Sequence, residues 1–166
     1  HYASLVFEGV RIYNSKIFKL EDHTDRLFHS AKRMDMKIPF TKEEINKATK
    51  EIVVVQNVKN GYIRPFVWRG SEQMGVSAQK TKINVAIATW EWPAYFDPNL
   101  KLKGIKLNIS KWRRPAPNTI PWDTKASGLY MICTLSKHEA EKQGYTDSLM
   151  LDHEGNCLLY TSDAAD

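Results

Sequence analysis

With 166 residues, 42% of them hydrophobic, the chain can form one ordinary globular core or part of a two-domain enzyme, and its composition excludes a disordered or fibrous protein. Its apolar runs are far shorter than the roughly 18 residues that a membrane span needs, and we recognise no signal peptide. The net charge of +5 comes from scattered lysines, which does not favour a nucleic-acid partner. Cys133 and Cys157 form no disulfide or metal-binding pattern, so we expect the reducing cytoplasm.

The chain begins without an initiator methionine, so we expect its true start to lie upstream. Residues 5–13 are rich in β-branched and aromatic side chains, which is typical of a strand. After a turn at 14–16, a second strand over 17–20 would complete a β-hairpin.

Two helices are predicted next. The helical spacing of Leu27, Ala31 and Met34 predicts a helix over 21–36 that Pro39 ends. A capping-box pattern, Thr41 with Glu44, opens a second helix that ends near residues 60–61. Its apolar face is predicted to be Ile45, Ala48, Ile52 and Val55.

The remainder mixes strands with one more helix. Strand patterns cover 62–69, 83–90 and 105–112, which makes this part an α+β unit. The proline-rich segment 113–121 is too extended for regular structure, and we place the domain boundary at or just before it. A helix over 126–143, closed by Gly144, and a strand over 147–151 followed by a turn at 152–156 complete the prediction.

Several catalytic motifs are absent. The glycines at 70 and 75 lack the lysine of a phosphate-binding loop, and no Gly-x-Ser-x-Gly elbow or two-histidine zinc motif occurs. His23 and His29 are six residues apart and fall on different helix faces, so we interpret both as surface or helix-flank histidines.

Lys125 is the remaining candidate for chemistry. It follows the proline-rich segment, and the small residues Ala126, Ser127 and Gly128 leave room for a bulky ligand. At the first turn of the predicted helix, the helix dipole and partial burial would lower the pKa of this lysine, as carbonyl chemistry requires. On these features alone, a solvated lysine at a helix end is the more common case.

The sequence around Lys125 resembles a known family. Residues 112–121 and 125–130 closely resemble the segment that carries the cofactor lysine in branched-chain-amino-acid aminotransferases. Other stretches resemble the same family in the same order: 1–2, 7–11, 22–27, 62–65, 92–95 and 151–155. The resemblance covers residues 1 to about 156.

The resemblance implies an α+β fold, the two-domain fold type IV of pyridoxal 5'-phosphate (PLP) enzymes, also described as D-amino acid aminotransferase-like. It would comprise a small domain over 1–97, a strand and interdomain connection over 98–121, and the beginning of the large domain over 122–156. Lys125 would carry PLP and move the proton during transamination. Tyr130 would hydrogen-bond the ring hydroxyl, and Arg26 would bind the phosphate through its forked donors.

The resemblance also implies the substrate pocket. Its walls would be Tyr2, Phe7, Trp92 and Tyr95, an aromatic box that suits leucine, isoleucine and valine. Arg64, with Tyr2 and Tyr95, would receive the distal carboxylate of glutamate. Met74 and Val76 would lie in a loop that reaches a neighbouring subunit, which implies a homodimer. The substrates would be amino acids and 2-oxo acids in a ping-pong reaction.

Two alternatives stay open. Another fold type IV enzyme (a D-amino acid transaminase, an R-selective amine transaminase or an aminodeoxychorismate lyase) would share Lys125 and Arg26. A small basic binding module without chemistry would use the aromatic side chains for stacking.

Residues 157–166 depart from the family. They resemble the one-frame translation of a transposon-derived sequencing adapter, and we expect them to be non-native. The family's later segments supply a glutamate for the pyridine nitrogen and backbone donors for the phosphate. Because these segments do not occur in this sequence, we expect this chain alone to be an inactive or nearly inactive fragment of an aminotransferase.

Overall fold

A computed structural model describes residues 2, 4–92 and 102–158. The chain divides into two compact units, His1–Pro93 with Asp123–Gly128, and Ala94–Trp122 with Leu129–Asp166. The division differs from the predicted domain bounds chiefly at Asp123–Gly128. This segment groups with the first unit, whereas the sequence assigned it to the domain that begins at residue 122.

A five-stranded sheet forms the centre of the first unit. Its strands are β1 Leu5–Phe7, β2 Val10–Tyr13, β3 Lys16–Ile17, β4 Gly61–Arg69 and β5 Ile83–Glu91. β4 pairs antiparallel with β1 and β2 along one edge and with β5 along the other. The predicted hairpin is confirmed, because β2 pairs antiparallel with β3.

The predicted strand over 5–13 is interrupted at Glu8 and Gly9. β1 and β2 nevertheless face β4 in one continuous register, with Phe7 opposite Phe66 and Val10 opposite Ile63. The backbone N–H of Glu8 donates to the carbonyl of Pro65 at 2.9 Å. Proline has no N–H to donate in return, so the ladder loses a hydrogen bond at this point.

Two helices follow, α1 over Leu20–Arg33 and α2 over Lys42–Val55. The predicted end of the first helix at Pro39 was wrong, because the backbone reverses earlier, at Asp35, whose φ is 53°. The second predicted strand is shorter than expected, since α1 already begins at Leu20.

The capping box at the start of α2 is confirmed. The backbone N–H of Glu44 donates to the Thr41 hydroxyl at 3.2 Å, and the Thr41 N–H donates to the Glu44 carboxylate at 2.7 Å. These two bonds satisfy donors that a helix start leaves without intrahelical partners.

The buried face of α2 differs from the prediction. It consists of Ile45, Thr49 and Val53, whereas Ala48 and Val55 are exposed. Thr49 can be buried because its hydroxyl donates to the carbonyl of Ile45 at 2.7 Å. Together with strand residues, α2 forms an apolar core that comprises Val10, Ile12, Val53, Val58 and Ile63.

The second unit contains β6 Leu107–Arg113, α3 Met131–Lys142, β7 Asp147–Leu151 and β8 Cys157–Leu158. β6 pairs parallel with β7, and β7 pairs antiparallel with β8. The predicted strand over 147–151 is confirmed. In the turn after it, the Asp152 carboxylate accepts hydrogen bonds from the backbone N–H groups of Glu154 and Asn156.

The predicted helix over 126–143 begins later than expected. Ser127–Leu129 forms a short 3-10 turn, and the regular helix starts only at Met131. It ends at Lys142, with Gly144 in the left-handed conformation as predicted. Within the part of the chain that the structure describes, every helix is too short or too polar to cross a lipid bilayer.

Candidate active site

Side chains on β4 alternate between two faces of the sheet. Ile63 and Val67 are fully buried, and Ile63 belongs to the apolar core. The neighbouring positions carry Tyr62, Arg64 and Phe66, which point to the opposite face because strand side chains alternate. One face therefore builds the core, and the other combines a cation with aromatic rings.

Arg64 lies in an aromatic cage. Its guanidinium carbon is 5.1 Å from the ring centre of Phe7, 5.3 Å from that of Tyr62 and 5.8 Å from that of Trp90. Nη2 lies 3.4 Å from the Tyr62 hydroxyl, which it can contact as a donor. The Nε–H is buried and has no hydrogen-bond partner. A caged guanidinium with an unsatisfied donor is suited to binding a carboxylate.

Lys125 is buried, with 6% exposure. Its amine lies 5.1 Å from the ring centre of Phe7, the same ring that contacts Arg64. Both cations therefore share one aromatic neighbour at the end of β1. Attraction between a cation and a ring favours this arrangement.

The prediction that Lys125 occupies the first turn of a helix was wrong. Its segment runs beside β1 instead: the Phe7 N–H donates to the Lys125 carbonyl at 3.1 Å, and Ala126 forms a bridge with Val6. The Lys125 N–H donates to the Ser30 hydroxyl of α1 at 3.0 Å. Backbone hydrogen bonds to a strand and a helix position this lysine, so the helix-dipole reason for its reactivity does not apply.

Asp123 provides a second attachment between this segment and α1. Its carboxylate lies 3.3 Å from Nε2 of His29 and 3.0 Å from Nε of Arg33. Desolvation raises the pKa of Asp123, but hydrogen bonds from Arg33, from the backbone and from His29 together lower it below the ordinary 3.8. The carboxylate is therefore charged at neutral pH.

Glu8 is a fully buried carboxylate beside this region. It stands between Val6 and Val10, which are also fully buried. It accepts hydrogen bonds from Arg26 Nε at 2.5 Å and Arg26 Nη2 at 2.7 Å, and His23 Nδ1 lies 2.9 Å away. A buried charge is tolerated when it is paired in this way.

The partners of Glu8 keep it ionised. Burial raises the pKa of Glu8, but hydrogen bonds from Arg26 and His23 and the positive charges of Arg26 and Lys125 lower it, and the net shift is below the ordinary 4.5. Glu8 is thus a fixed negative charge near both Arg26 and Lys125.

The structure brings together only some of the predicted site residues. Lys125, Phe7 and Arg64 are close neighbours, and Trp92 joins them through Tyr62, with 5.3 Å between the ring centres. Arg26 lies on α1 and is bound to Glu8.

The other predicted site residues lie elsewhere. Tyr2, Met74 and Val76 are mostly exposed, with 62%, 68% and 83% exposure. Tyr130 is half-buried and precedes α3 in the second unit. Tyr95 lies outside the described residues.

Sequence reasoning missed four residues of this region: Glu8, His23, Tyr62 and Trp90. The interpretation of His23 as a surface histidine was wrong, because it is buried against Glu8. One signal was available. In the alternation Val6, Glu8, Val10, an acid occupies a position where the pattern requires an apolar side chain, and such an acid needs a buried cation.

Within residues 2, 4–92 and 102–158, no group of three histidine, cysteine or acidic residues could hold a metal ion. The donors that are present suit anions instead.

Comparison with known proteins gives consistent results. The profile of the family described as Amino-transferase class IV matches residues 5–162. A branched-chain-amino-acid aminotransferase of Pseudomonas aeruginosa is 43% identical over 159 residues, which is 93% of this chain and 52% of that protein. The chain thus spans about half the length of the curated relatives it matches.

Solved structures show the same fold. The branched-chain amino acid aminotransferase of the organism abbreviated T.th., with pyridoxamine 5'-phosphate, superposes with a TM-score of 0.91 at 37% identity, over 97% of this chain and 54% of that one. The same enzyme complexed with N-(5'-phosphopyridoxyl)-L-glutamate gives 0.84 at 36% identity, over 95% and 51%. The expected α+β fold is therefore confirmed.

Proposed function

Because the chain belongs to the class IV aminotransferase family, we propose that it carries the lysine-bearing part of a PLP-dependent branched-chain amino acid transaminase. The enzyme would transfer the amino group of leucine, isoleucine or valine to 2-oxoglutarate, giving a 2-oxo acid and glutamate. The observation that carries the proposal is a buried lysine amine that shares the Phe7 ring with the caged Arg64.

The residues present fit PLP. Lys125 offers a buried amine held by its backbone, and the buried, unsatisfied Nε–H of Arg64 indicates an anionic ligand at this face. Once bound, PLP would act as the electron sink that makes the substrate Cα proton acidic. Lys125 would hold the cofactor and then move this proton at its Nζ, and Arg26 would bind the phosphate. Tyr130 would hydrogen-bond the ring hydroxyl.

The sheet face gives a physical reason for dual substrate use. Phe7, Tyr62 and Trp90 offer apolar surface to a branched side chain. Arg64, in the same cage, offers a donor to the distal carboxylate of glutamate or 2-oxoglutarate. A solved relative that binds a phosphopyridoxyl-glutamate supports this proposal. Trp92, Tyr2 and Tyr95 would complete the pocket.

The full enzyme would be a cytoplasmic homodimer. Met74 and Val76, exposed on the loop between β4 and β5, would contact the site of the second subunit. For the 166-residue chain alone we expect little or no steady-state turnover, and measurable transamination by the purified chain would contradict that expectation.

The test is covalent labelling. The chain is incubated with PLP, reduced with borohydride and digested, and the modified lysine is identified by mass spectrometry. We expect the label on Lys125, its loss in Lys125→Ala, and its retention in Lys32→Ala, which removes an exposed lysine of α1. A label spread evenly over exposed lysines would refute the proposed role of Lys125.

A further inference from the structure

The contact between Glu8 and Arg26 is bidentate. Nε and Nη2 lie on one edge of the guanidinium, and each donates to a different oxygen of the Glu8 carboxylate. Two parallel hydrogen bonds fix both the plane and the rotation of the guanidinium. Glu8 itself cannot move, because it is fully buried in the strand register of the sheet.

His23 supports Glu8 from the same helix. It lies three residues before Arg26 on α1, so the two side chains are neighbours on the helix surface. Its Nδ1 is 2.9 Å from the Glu8 oxygen that also accepts from Arg26 Nη2. The acid is thus bound on two sides, and α1 is tied to the end of β1.

Arg26 would be mobile without this pair. Its side chain is 39% exposed, and an unrestrained arginine carries about 2 kcal/mol of rotamer entropy. A ligand that had to order it would bind more weakly, whereas a preorganised donor avoids this loss. A guanidinium has five donors, so two bonds to Glu8 do not exhaust its capacity to bind a phosphate.

We propose that Glu8 is a positioning residue, which holds Arg26 ready for the phosphate of the cofactor while His23 supports Glu8. This rests on the proposed function, in which Arg26 binds that phosphate. Glu8 acts through Arg26 and touches no ligand itself. Its removal should therefore weaken binding of a phosphorylated ligand and leave the same ligand without phosphate unaffected.

The experiment compares two probes on the full 166-residue chain. Dissociation constants of PLP and of pyridoxal, which lacks the phosphate, are measured by absorbance titration for wild type, Glu8→Gln and the control Glu21→Gln, an exposed acid of α1. We expect Glu8→Gln to weaken PLP binding about tenfold, the value of one charge-assisted hydrogen bond, with pyridoxal binding and the control unchanged. In an Arg26→Met background, Glu8→Gln should have no further effect on PLP binding.

Hydrogen exchange of the Arg26 Nε–H, followed by NMR without ligand, gives an independent readout. We expect protection in wild type, loss of protection in Glu8→Gln, and partial loss in His23→Gln. If Glu8→Gln does not fold, His23→Gln must show a smaller loss of PLP affinity with pyridoxal unaffected.

Equal weakening of PLP and pyridoxal would mean that Glu8 is merely structural and would overturn the proposal. If wild type prefers PLP and Glu8→Gln keeps that preference, only the positioning role fails. If wild type binds PLP no better than pyridoxal, the phosphate role of Arg26 in the proposed function fails, and the positioning proposal fails with it.

Discussion

The two faces of β4 solve opposite problems with neighbouring residues. Ile63 is fully buried in an apolar core whose contacts need no direction, so its contribution to stability grows with the area removed from water. Arg64, the next residue, keeps a buried donor without a partner inside an aromatic cage. An unsatisfied buried donor opposes folding, which indicates that the first face stabilises the fold and the second serves a ligand.

The largest expected effect lies on the apolar face. We expect Ile63→Ala to lower the free energy of unfolding by about 2–5 kcal/mol, because it removes buried methyl and methylene groups and leaves a cavity. The matched control Ile63→Val should lower it by only about 0.5–1.5 kcal/mol. Urea denaturation measures both, and equal small effects would show that this face is not the stabilising one.

Glu8 comes next in expected effect. Glu8→Gln should lower the free energy of unfolding at neutral pH by roughly 1–3 kcal/mol, since the bonds from Arg26 and His23 lose a charged acceptor. The pKa of Glu8 is lowered in the folded chain, so its stabilisation is present above the unfolded value near 4.5 and is lost as pH falls through the folded value. The difference between wild type and variant should therefore shrink below about pH 4.5.

Denaturant unfolding at a series of pH values measures this dependence. The variant Glu51→Gln, which removes an exposed carboxylate of α2, serves as the control. A difference between wild type and Glu8→Gln that stays constant down to about pH 3 would contradict an ionised, paired Glu8.

Arg64 should matter far less for stability than its neighbour. Arg64→Met removes the cation–ring contacts but also the unsatisfied buried donor, so we expect a net change within about 1 kcal/mol. Thermal unfolding of Arg64→Met beside Ile63→Ala tests this. A loss as large as that of Ile63→Ala would end the distinction between the two faces.

The smallest effect is expected at Asp123. Asp123→Asn should slightly lower the melting temperature at low ionic strength, because it weakens the contacts to His29 and Arg33. The effect should disappear in high salt, which screens exposed pairs. The pKa of Asp123 is lowered, so the effect should also fade as pH drops below 3.8. A salt-independent loss would indicate that Asp123 does more than form these pairs.

Local patterns predicted much of the fold. The strand β7 and the capping box of α2 follow the sequence closely, because alternation and capping depend on residues a few positions apart. The face of α2 was predicted less well, since the buried Thr49 has a polar side chain whose hydroxyl bonds within its own helix.

The site was predictable by type but not by geometry. The resemblance identified Lys125, but its local structure depends on the hydroxyl of Ser30, 95 residues earlier, rather than on a helix start. His23 was misassigned because its partner Glu8 lies 15 residues away on another element. Spacing within one helix shows which residues share a face but not what covers that face.

The attachment of the Lys125 segment to β1 and α1 also sets an order of events during folding. A hydrogen bond that spans 95 residues can form only after a long loop has closed and after α1 exists to offer Ser30. Helices form within about a microsecond, whereas long-range pairings are slower. In a refolding experiment, the reactive lysine should therefore reach its buried position after the far-ultraviolet signal of the helices has already appeared.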